Sequence, residues 1–367
     1  MADETNAAMP SGRVSDACAP QSPLMTFVVP VYNTETTVGA CLDSALVQTV
    51  RDIEVVCVDD GSPDGAGEVL ERYAALDGRV RVLHQANAGL AAARNAGMAA
   101  ARGRLVAFLD SDDMVAPTFA ERIARAFASA RDVDVVTCGA ACEPPELASA
   151  RIKRLLSPAD AVYRGFSADL LFSANAQPYA CRTVVDRSFA LRESIRFDES
   201  LRFAEDVAFH FTVYPLARTT VLISDKLYRY RMNDASLTHE HDGAAARERK
   251  LARHLDVLAS IFSAWDARGL GPLCPERMVT WCLDFTLFDI ACLDPKTSSA
   301  MSCRLNRMLA QAYGAAWADL PAHPAVRRAA HAVAGADACG IRLGRLGLAR
   351  FFVATRGWAQ CLARLVR

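Results

Sequence analysis

Long hydrophobic runs are missing from this sequence of 367 residues. No stretch approaches the roughly 18 consecutive apolar residues of a membrane-spanning helix, which rules out a multispan transporter and leaves only peripheral membrane contact. An excess of either charge is missing too. Lys and Arg total 41 against 42 Asp and Glu, for a net charge of -1, and a chain without a basic balance is poorly suited to nucleic acid as its main partner. None of the 12 cysteines forms a CxxC pair. The nearest two, Cys138 and Cys142, have no second pair at hand to complete a zinc site. The cysteines are therefore expected to be reduced, small hydrophobes in the core of a cytosolic protein. No P-loop motif occurs, and Gly65-Ala66-Gly67 starts a dinucleotide fingerprint whose third glycine is Leu70, so neither a P-loop nor a nicotinamide site is supported. Residues 1–23 lack the apolar segment of a secretory signal and carry Pro10, Pro20 and Pro23. They are expected to form a loose tail.

What the sequence does hold is enough apolar material for a sizeable core: 52% hydrophobic against 23% charged. Short apolar, β-branched runs at 24–29, 53–58, 80–83 and 105–109, with another near 133–137, read as buried strands. Helical patterns separate them. One runs through about Gln48 with Val38, Cys41, Leu42 and Ala45 on one face. The others cover about 65–76, an Ala-rich stretch after Gly89 to about 101, and a segment to about 130. This alternation predicts an α/β fold of Rossmann-like type, with right-handed βαβ units and a mainly parallel sheet carrying helices on both faces. In such sheets ligands bind at the carboxyl ends of strands. Asn33, Asp59, Asp60, Asp110, Asp112 and Asp113 all fall there. From 140 to 234 the pattern is less regular, and from 244 onward it is helical. Leu251, Leu255, Leu258, Phe262 and Trp265 form an apolar stripe, further helical segments lie near 276–293 and 302–317, and Pro295 and Pro321 punctuate them.

The acidic cluster Asp110-Ser111-Asp112-Asp113 is the sharpest chemical feature. Three carboxylates this close repel one another unless a positive charge sits among them. Mg²⁺ or Mn²⁺ takes oxygen ligands of this kind, usually with substrate phosphates. A plain solvated turn, or a helix cap supplied by Asp113, is the competing reading. The position after a buried strand, with Asp59-Asp60-Gly61-Ser62 at another strand end, favours the ligand-binding one. Asp59 and Asp60 read equally well as acceptors for a base or ribose and as β-turn residues.

The segments Val29-Pro30-Val31-Tyr32-Asn33, Cys41 to Thr49, Val58 to Ser62, Asn87 to Leu90 with Ala93 to Gly97, and Phe108 to Asp113 stand in this order over residues 24–115. Together they resemble the donor half of a family 2 inverting bacterial glycosyltransferase of GT-A fold. The resemblance implies a nucleotide-sugar site in which Pro30, Tyr32, Asn33, Asp59 and Asp60 line the base and ribose pocket. Asn87 and Gly89 would shape its wall, and Arg94 would lie near the base or diphosphate unless it simply bridges helix and sheet. Asp110 and Asp112 would face the donor, and Asp113 with Asp112 would hold Mn²⁺ or Mg²⁺. A weaker match over 195–206 implies that Asp206 is the catalytic base, assisted by Glu205, against the plainer reading of two acids at a helix start. Leu227 to Arg231 also resembles these bacterial relatives. The QxxRW element of processive synthases is absent, which points to transfer of a single sugar. His239 and His241 are further candidates for diphosphate or metal contact, against a plain surface role.

The implied activity is transfer from a nucleotide-diphospho-sugar, with UDP as the expected nucleotide, to a cell-surface glycan or lipid-linked acceptor. Transfer to a protein or small lipid carrier, or donor binding without turnover, are the alternatives. The expected divisions are 24–139 as donor half, 140–240 as acceptor half and 241–367 as a helical region. Between Gly340 and Arg367 lie six Arg and no acid. Leu348, Phe351, Trp358, Leu362 and Leu365 share a helical face, with Arg345, Arg350, Arg356, Arg364 and Arg367 expected to point away. Such a helix suits an anionic membrane surface or the protein body, and the resemblance favours peripheral contact through 341–367 at the inner face of the cell membrane. A homodimer is compatible with the sequence.

Overall fold

The structure, a computed structural model, describes residues 22–232 and 243–358. The apolar runs of the first half become strands and the stretches between them helices: β1 (Met25–Val31), α1 (Val38–Leu46), β2 (Ile53–Asp59), α2 (Ala66–Leu76), β3 (Val80–His84), α3 (Leu90–Ala100) and β4 (Leu105–Phe108). Every residue of β1 and β2 is buried, as parallel strands covered on both faces must be. β1 pairs in parallel with β2 and with β4, and β2 with β3. The order is therefore β3-β2-β1-β4. α3 lies directly on this sheet because Gly97 has no side chain. A Cβ there would come within 2.2 Å of Val28 Cγ1.

The simple alternation then gives way to β5 (Met114–Val115), α4 (Phe119–Ala128), β6 (Val135–Glu143), α5 (Ala150–Leu155), β7 (Ala161–Arg164), α6 (Ala168–Phe172), β8 (Thr183–Asp186), α7 (Arg187–Arg192), α8 (Glu205–Leu216) and β9 (Thr219–Arg231). The strand expected near 133–137 is β6, yet it does not lie beside β4. β8 runs antiparallel between them. β9 continues the sheet parallel to β6 and carries β5 and β7 as antiparallel neighbours. The result is a mixed sheet whose β3-β2-β1-β4 part is wholly parallel.

Among the described residues five helices follow: α9 (Ala244–Asp266), α10 (Pro275–Cys292), α11 (Pro295–Tyr313), α12 (Pro324–Ala334) and α13 (Gly344–Arg356). Leu251, Leu255, Leu258 and Trp265 of the expected stripe are buried, with Phe262 packed at its edge. α11 starts at Pro295, earlier than expected near 302. Asp294 caps it by accepting the N–H groups of Lys296 and Thr297, and proline is favoured in the first helical position. One apolar cluster joins Val28 and Phe108 on the sheet to Phe209 and Phe211 on α8, and to Leu255, Leu283 and Phe351 on the C-terminal helices.

Two expectations need correction. Among the described residues seven cysteines are buried, but Cys292, Cys303 and Cys339 are exposed, because they sit on outer helix faces and a surface turn. Helix α13 docks on the protein body up to Arg356, since α10 and α12 offer its stripe an apolar partner. Phe351 is fully buried. Arg356 turns inward instead of outward: its Nε donates to Asp284 Oδ1 at 2.7 Å and its guanidinium lies 4.5 Å over the Phe352 ring. The helix stops there, with Gly357 at φ 77. Arg345 and Arg350 are exposed as expected. Leu362, Leu365, Arg364 and Arg367, like His239, His241 and the tail before residue 22, lie outside the described residues. No described helix is long and apolar enough to cross a membrane.

The packing of α13 generates a stability prediction. Phe351→Ala should cost about 3–5 kcal/mol, the range for emptying a buried aromatic site, read by urea unfolding of the full chain. A loss below about 1 kcal/mol would show that α13 is not part of the core.

Candidate active site

The order β3-β2-β1-β4 turns about β1, and such a switch point opens a crevice beyond the carboxyl ends of the two central strands. The β1–β4 register ends at Val28 and Phe108. Pro30, buried in β1, lies past that point, where its missing N–H leaves no pairing with β4 unmade. The loops that follow face each other. Thr34 donates to Ser111 Oγ at 3.1 Å, and Thr37 to the Ser111 carbonyl at 3.1 Å. Tyr32 is half-exposed and Asn33 exposed at the crevice edge, Asn33 with a left-handed φ of 56.

Asp59 and Asp60 are successive residues at the end of β2 and so diverge. Asp60 is buried and accepts three hydrogen bonds: from Gln85 Nε2 at 2.7 Å and from the N–H groups of Ala88 and Gly89 at 2.8 Å each. It shapes the 85–89 loop, whose Asn87 is exposed. Gly89 is required there, with φ 95 and with Arg202 Nη1 only 2.3 Å from where a Cβ would stand. Asp59 turns to the β3 side, accepting from Ser62 N–H at 2.9 Å and meeting His84 Nδ1 at 2.9 Å, while His84 Nε2 meets Glu71 at 2.8 Å. Glu71 and Asp59 together raise the His84 pKa. Despite burial, the Ser62 and His84 bonds hold Asp59 below the usual carboxylate range.

After β4 the three carboxylates crowd as expected. Asp113 is buried; Tyr228 OH donates to its Oδ2 at 2.7 Å and Arg231 N–H to its Oδ1 at 2.7 Å. Burial, then Asp110 and Asp112, push Asp113 up to about 8, and burial with Asp110 also raises Asp112. Asp110, Asp113 and Cys181 each place a donor atom within 4.8 Å of the others. Burial pushes the Cys181 thiol far up, so it stays protonated and offers little to a hard cation. The oxygen-rich set of Asp110, Asp112 and Asp113 does fit Mn²⁺ or Mg²⁺, because such an ion would relieve the crowding that holds Asp113 protonated. Asp112, expected as a ligand, stands outside the tight three-atom group, and Asp110 stands within it.

Arg94 joins this cluster to the second half of the fold. It is 3% exposed, donating from Nη2 to Asp110 Oδ1 at 2.7 Å and from Nη1 to Glu205 Oε1 at 2.8 Å. Burial opposes its charge, but the two carboxylates outweigh that and raise its pKa. The bridge joins α3 to the first turn of α8. Next to Glu205, Asp206 accepts the N–H groups of Tyr179 and Val207 at 2.8 Å each. Burial and the Glu205 charge push Asp206 up to about 6. Tyr179 at φ 75 and Ala204 at φ 52 are both non-glycine residues in left-handed conformations, each costing about 1–3 kcal/mol.

Tyr179, Tyr228 and Arg231 were not among the expected site residues. The run Leu227 to Arg231 on β9 was the signal for two of them: Tyr228 reaches Asp113 with its side-chain hydroxyl and Arg231 with its backbone N–H. No local pattern announces Tyr179.

The family model for Glycosyl transferase family 2 matches residues 26–173. The chain is 31% identical over 298 residues to the uncharacterized glycosyltransferase EpsJ of Bacillus subtilis, covering 78% of this chain and 83% of that one. It is 32% identical to the putative glycosyltransferase EpsH of the same organism, covering 60% of this chain and 64% of that one. Its fold is similar to that of S. aureus TarS 1-349, whose structure was solved with UDP-GlcNAc, at a TM-score of 0.66 and 19% identity over 86% of this chain and 88% of that one.

The Asp113 environment sets a pH prediction. Its folded pKa of about 8 exceeds the unfolded value of about 4, so the native state keeps a proton that the unfolded chain releases. With metal chelated, stability should therefore fall as pH rises from about 4 to about 8. Asp113→Asn should flatten that decline in urea titrations across this window, and Mn²⁺ at pH 8 should stabilise the native protein but not the variant. An unchanged slope would remove Asp113 as the strained carboxylate.

Proposed function

This chain belongs to glycosyltransferase family 2, and on that premise we propose that it moves one sugar from a nucleotide-diphospho-sugar to an acceptor hydroxyl with inversion at the anomeric carbon. The donor we favour is a UDP-sugar carrying a hexosyl or N-acetylhexosaminyl group. The acceptor we favour is a cell-surface glycan or lipid-linked saccharide at the inner face of the membrane. The observation that carries this reading is the line Asp110–Arg94–Glu205 with Asp206 at its end. It holds a carboxylate cluster suited to a diphosphate and its cation beside a carboxylate suited to proton removal. Residues 24–139 then serve as the donor half and 140–240 as the acceptor half.

In the proposed reaction the donor diphosphate lies over the loop after β4, with Tyr32, Asn33 and Asn87 at the exposed edge of the nucleotide pocket. Asp110, Asp112 and Asp113 would hold the divalent ion, which when bound offsets the negative charge that builds on the leaving diphosphate. Asp206 takes the proton of the acceptor hydroxyl as its oxygen attacks the anomeric carbon opposite the leaving group. A base near pKa 6 is ionised at neutral pH yet still basic enough to accept that proton. The N–H groups of Tyr179 and Val207 fix its orientation, and Arg94 balances Glu205 so that two adjacent carboxylates coexist.

Release of UDP from UDP-sugars in the presence of Mn²⁺ tests the activity, and binding without release would favour a non-turnover role. Asp206→Asn should lower transfer about a hundredfold or more, the scale of a positioned acid–base group, with UDP affinity kept within twofold. In the native enzyme transfer should fall as pH drops through about 6, because Asp206 gains its proton; the variant should lose that acidic limb. Near-normal turnover, or an unaltered limb, would remove Asp206 as the base.

A further inference from the structure

Helix α13 turns its apolar stripe into the core, and its opposite face has a chemistry of its own. Arg345, Leu346, Ala349 and Arg350 are all exposed. Their i, i+3 and i+4 spacing sets them on one side of the helix, away from the fully buried Phe351. Leu346 is 66% exposed, and Trp358, just past the helix end, is 71% exposed. A lone exposed apolar residue is ordinary. Two large ones among arginines, on one short segment, form a pattern.

The charge on this face is of one sign. Asp337 is the last acidic residue in the sequence, and no Asp or Glu follows it. Arg342 is paired with Asp337, and Arg356 with Asp284, so neither is available to a partner. Arg345 and Arg350 meet no carboxylate among the described residues. Arg328 on α12, the helix packed beside α13, is exposed and also meets none. These three guanidinium groups stand in water with no internal anion to satisfy.

We propose that the outer face of α13 docks on an anionic membrane surface, with Leu346 and Trp358 entering the headgroup boundary and Arg345 and Arg350 reaching lipid phosphates. A helix lying flat at that boundary needs apolar side chains beneath it and cations along its flanks. Tryptophan is favoured at this depth. The long arginine stem lets Leu346 sink while the guanidinium stays among the headgroups, where anionic lipid attracts it. A second copy docked through the same face would set arginines against arginines. Nucleic acid would meet a chain of net charge -1 with few cations to give its phosphates.

The end of this helix also lies near the opening towards the base. Arg356 lines a cavity with Phe288, whose ring meets Phe352 of α13 at 6.3 Å. The same cavity is walled by Phe203 and Val207, and Val207 follows Asp206 directly. Docking through α13 would bring this opening close to the membrane, where a lipid-linked acceptor is held. That connection rests on the reading of Asp206 as the base, whereas the docking itself rests on α13 alone.

Co-sedimentation of the full chain tests the proposal, with vesicles of phosphatidylcholine alone and of phosphatidylcholine with phosphatidylglycerol. The anionic vesicles should bind about tenfold more tightly or better, and raised salt should weaken that binding. Arg345→Glu combined with Arg350→Glu should weaken it about tenfold or more, with an unchanged urea midpoint to show that the variant is folded. Brominated acyl chains should quench part of the tryptophan emission, and Trp358→Phe should remove that part, because Trp265 and Trp317 are buried and Trp281 packs against the core. Absence of vesicle binding, equal binding to neutral vesicles, indifference to the charge reversal, or quenching that survives Trp358→Phe overturns the proposal. Self-association that the charge reversal abolishes, without vesicle binding, overturns it in favour of a second copy. If vesicles bind but UDP is not released from UDP-sugars, the docking stands and the donor reading fails. If UDP is released and vesicles do not bind, the docking alone fails.

Discussion

A guanidinium buried between two carboxylates governs the arrangement of this protein. Arg94 is withdrawn from water, and a buried cation is tolerated only when its hydrogen bonds are met by fixed anions. Its planar fork meets Asp110 with one nitrogen and Glu205 with the other, and its face lies 5.2 Å from the Phe197 ring. Lysine, a single point charge, could not span both partners in this way. The consequence is geometric. The loop after β4 and the start of α8, which are 95 positions apart between residues 110 and 205, are held as one unit.

That constraint explains several local oddities. Ala204 takes a left-handed conformation that delivers Glu205 to Arg94. Tyr179 does so in the segment that presents its N–H to Asp206. Strain of this kind persists only where surrounding contacts over-determine the backbone. Here Arg182 supplies them from beneath. Fully buried and without a carboxylate partner among its hydrogen bonds, it donates to the carbonyls of Cys138, Asn175, Ala176 and Pro178. The loop carrying Tyr179 is thus fixed to β6, while Tyr228 and Arg231 on β9 fix Asp113 from the same sheet.

Much of this was legible in the sequence, and the failures have identifiable causes. Buried parallel strands announce themselves as short apolar runs, so β1 to β4 and the acids at their ends were placed correctly. The insertion of β8 between β4 and β6 was not legible, because pairing order depends on contacts distant in sequence. The residue types at the site were legible but their partners were not. Asp60 looks like a ligand acceptor in the motif, yet the structure spends all three of its observed hydrogen bonds on the 85–89 loop. Amphipathic stripes are ambiguous by nature. The stripe on α13 is equally suited to lipid and to a protein core, and only the tertiary structure shows Phe351 buried and Arg356 turned onto Asp284.

The claim that Arg94 couples the loop after β4 to the start of α8 is tested most directly by a double-mutant cycle. Asp110→Asn, Glu205→Gln and the pair would be compared by urea unfolding at neutral pH. Two groups that share one buried cation should show a coupling energy of about 0.5–3 kcal/mol, as residues in a common network do. Losses that simply add, within about 0.3–0.5 kcal/mol, would mean that the two halves are held independently and that the bridge is not the organising contact.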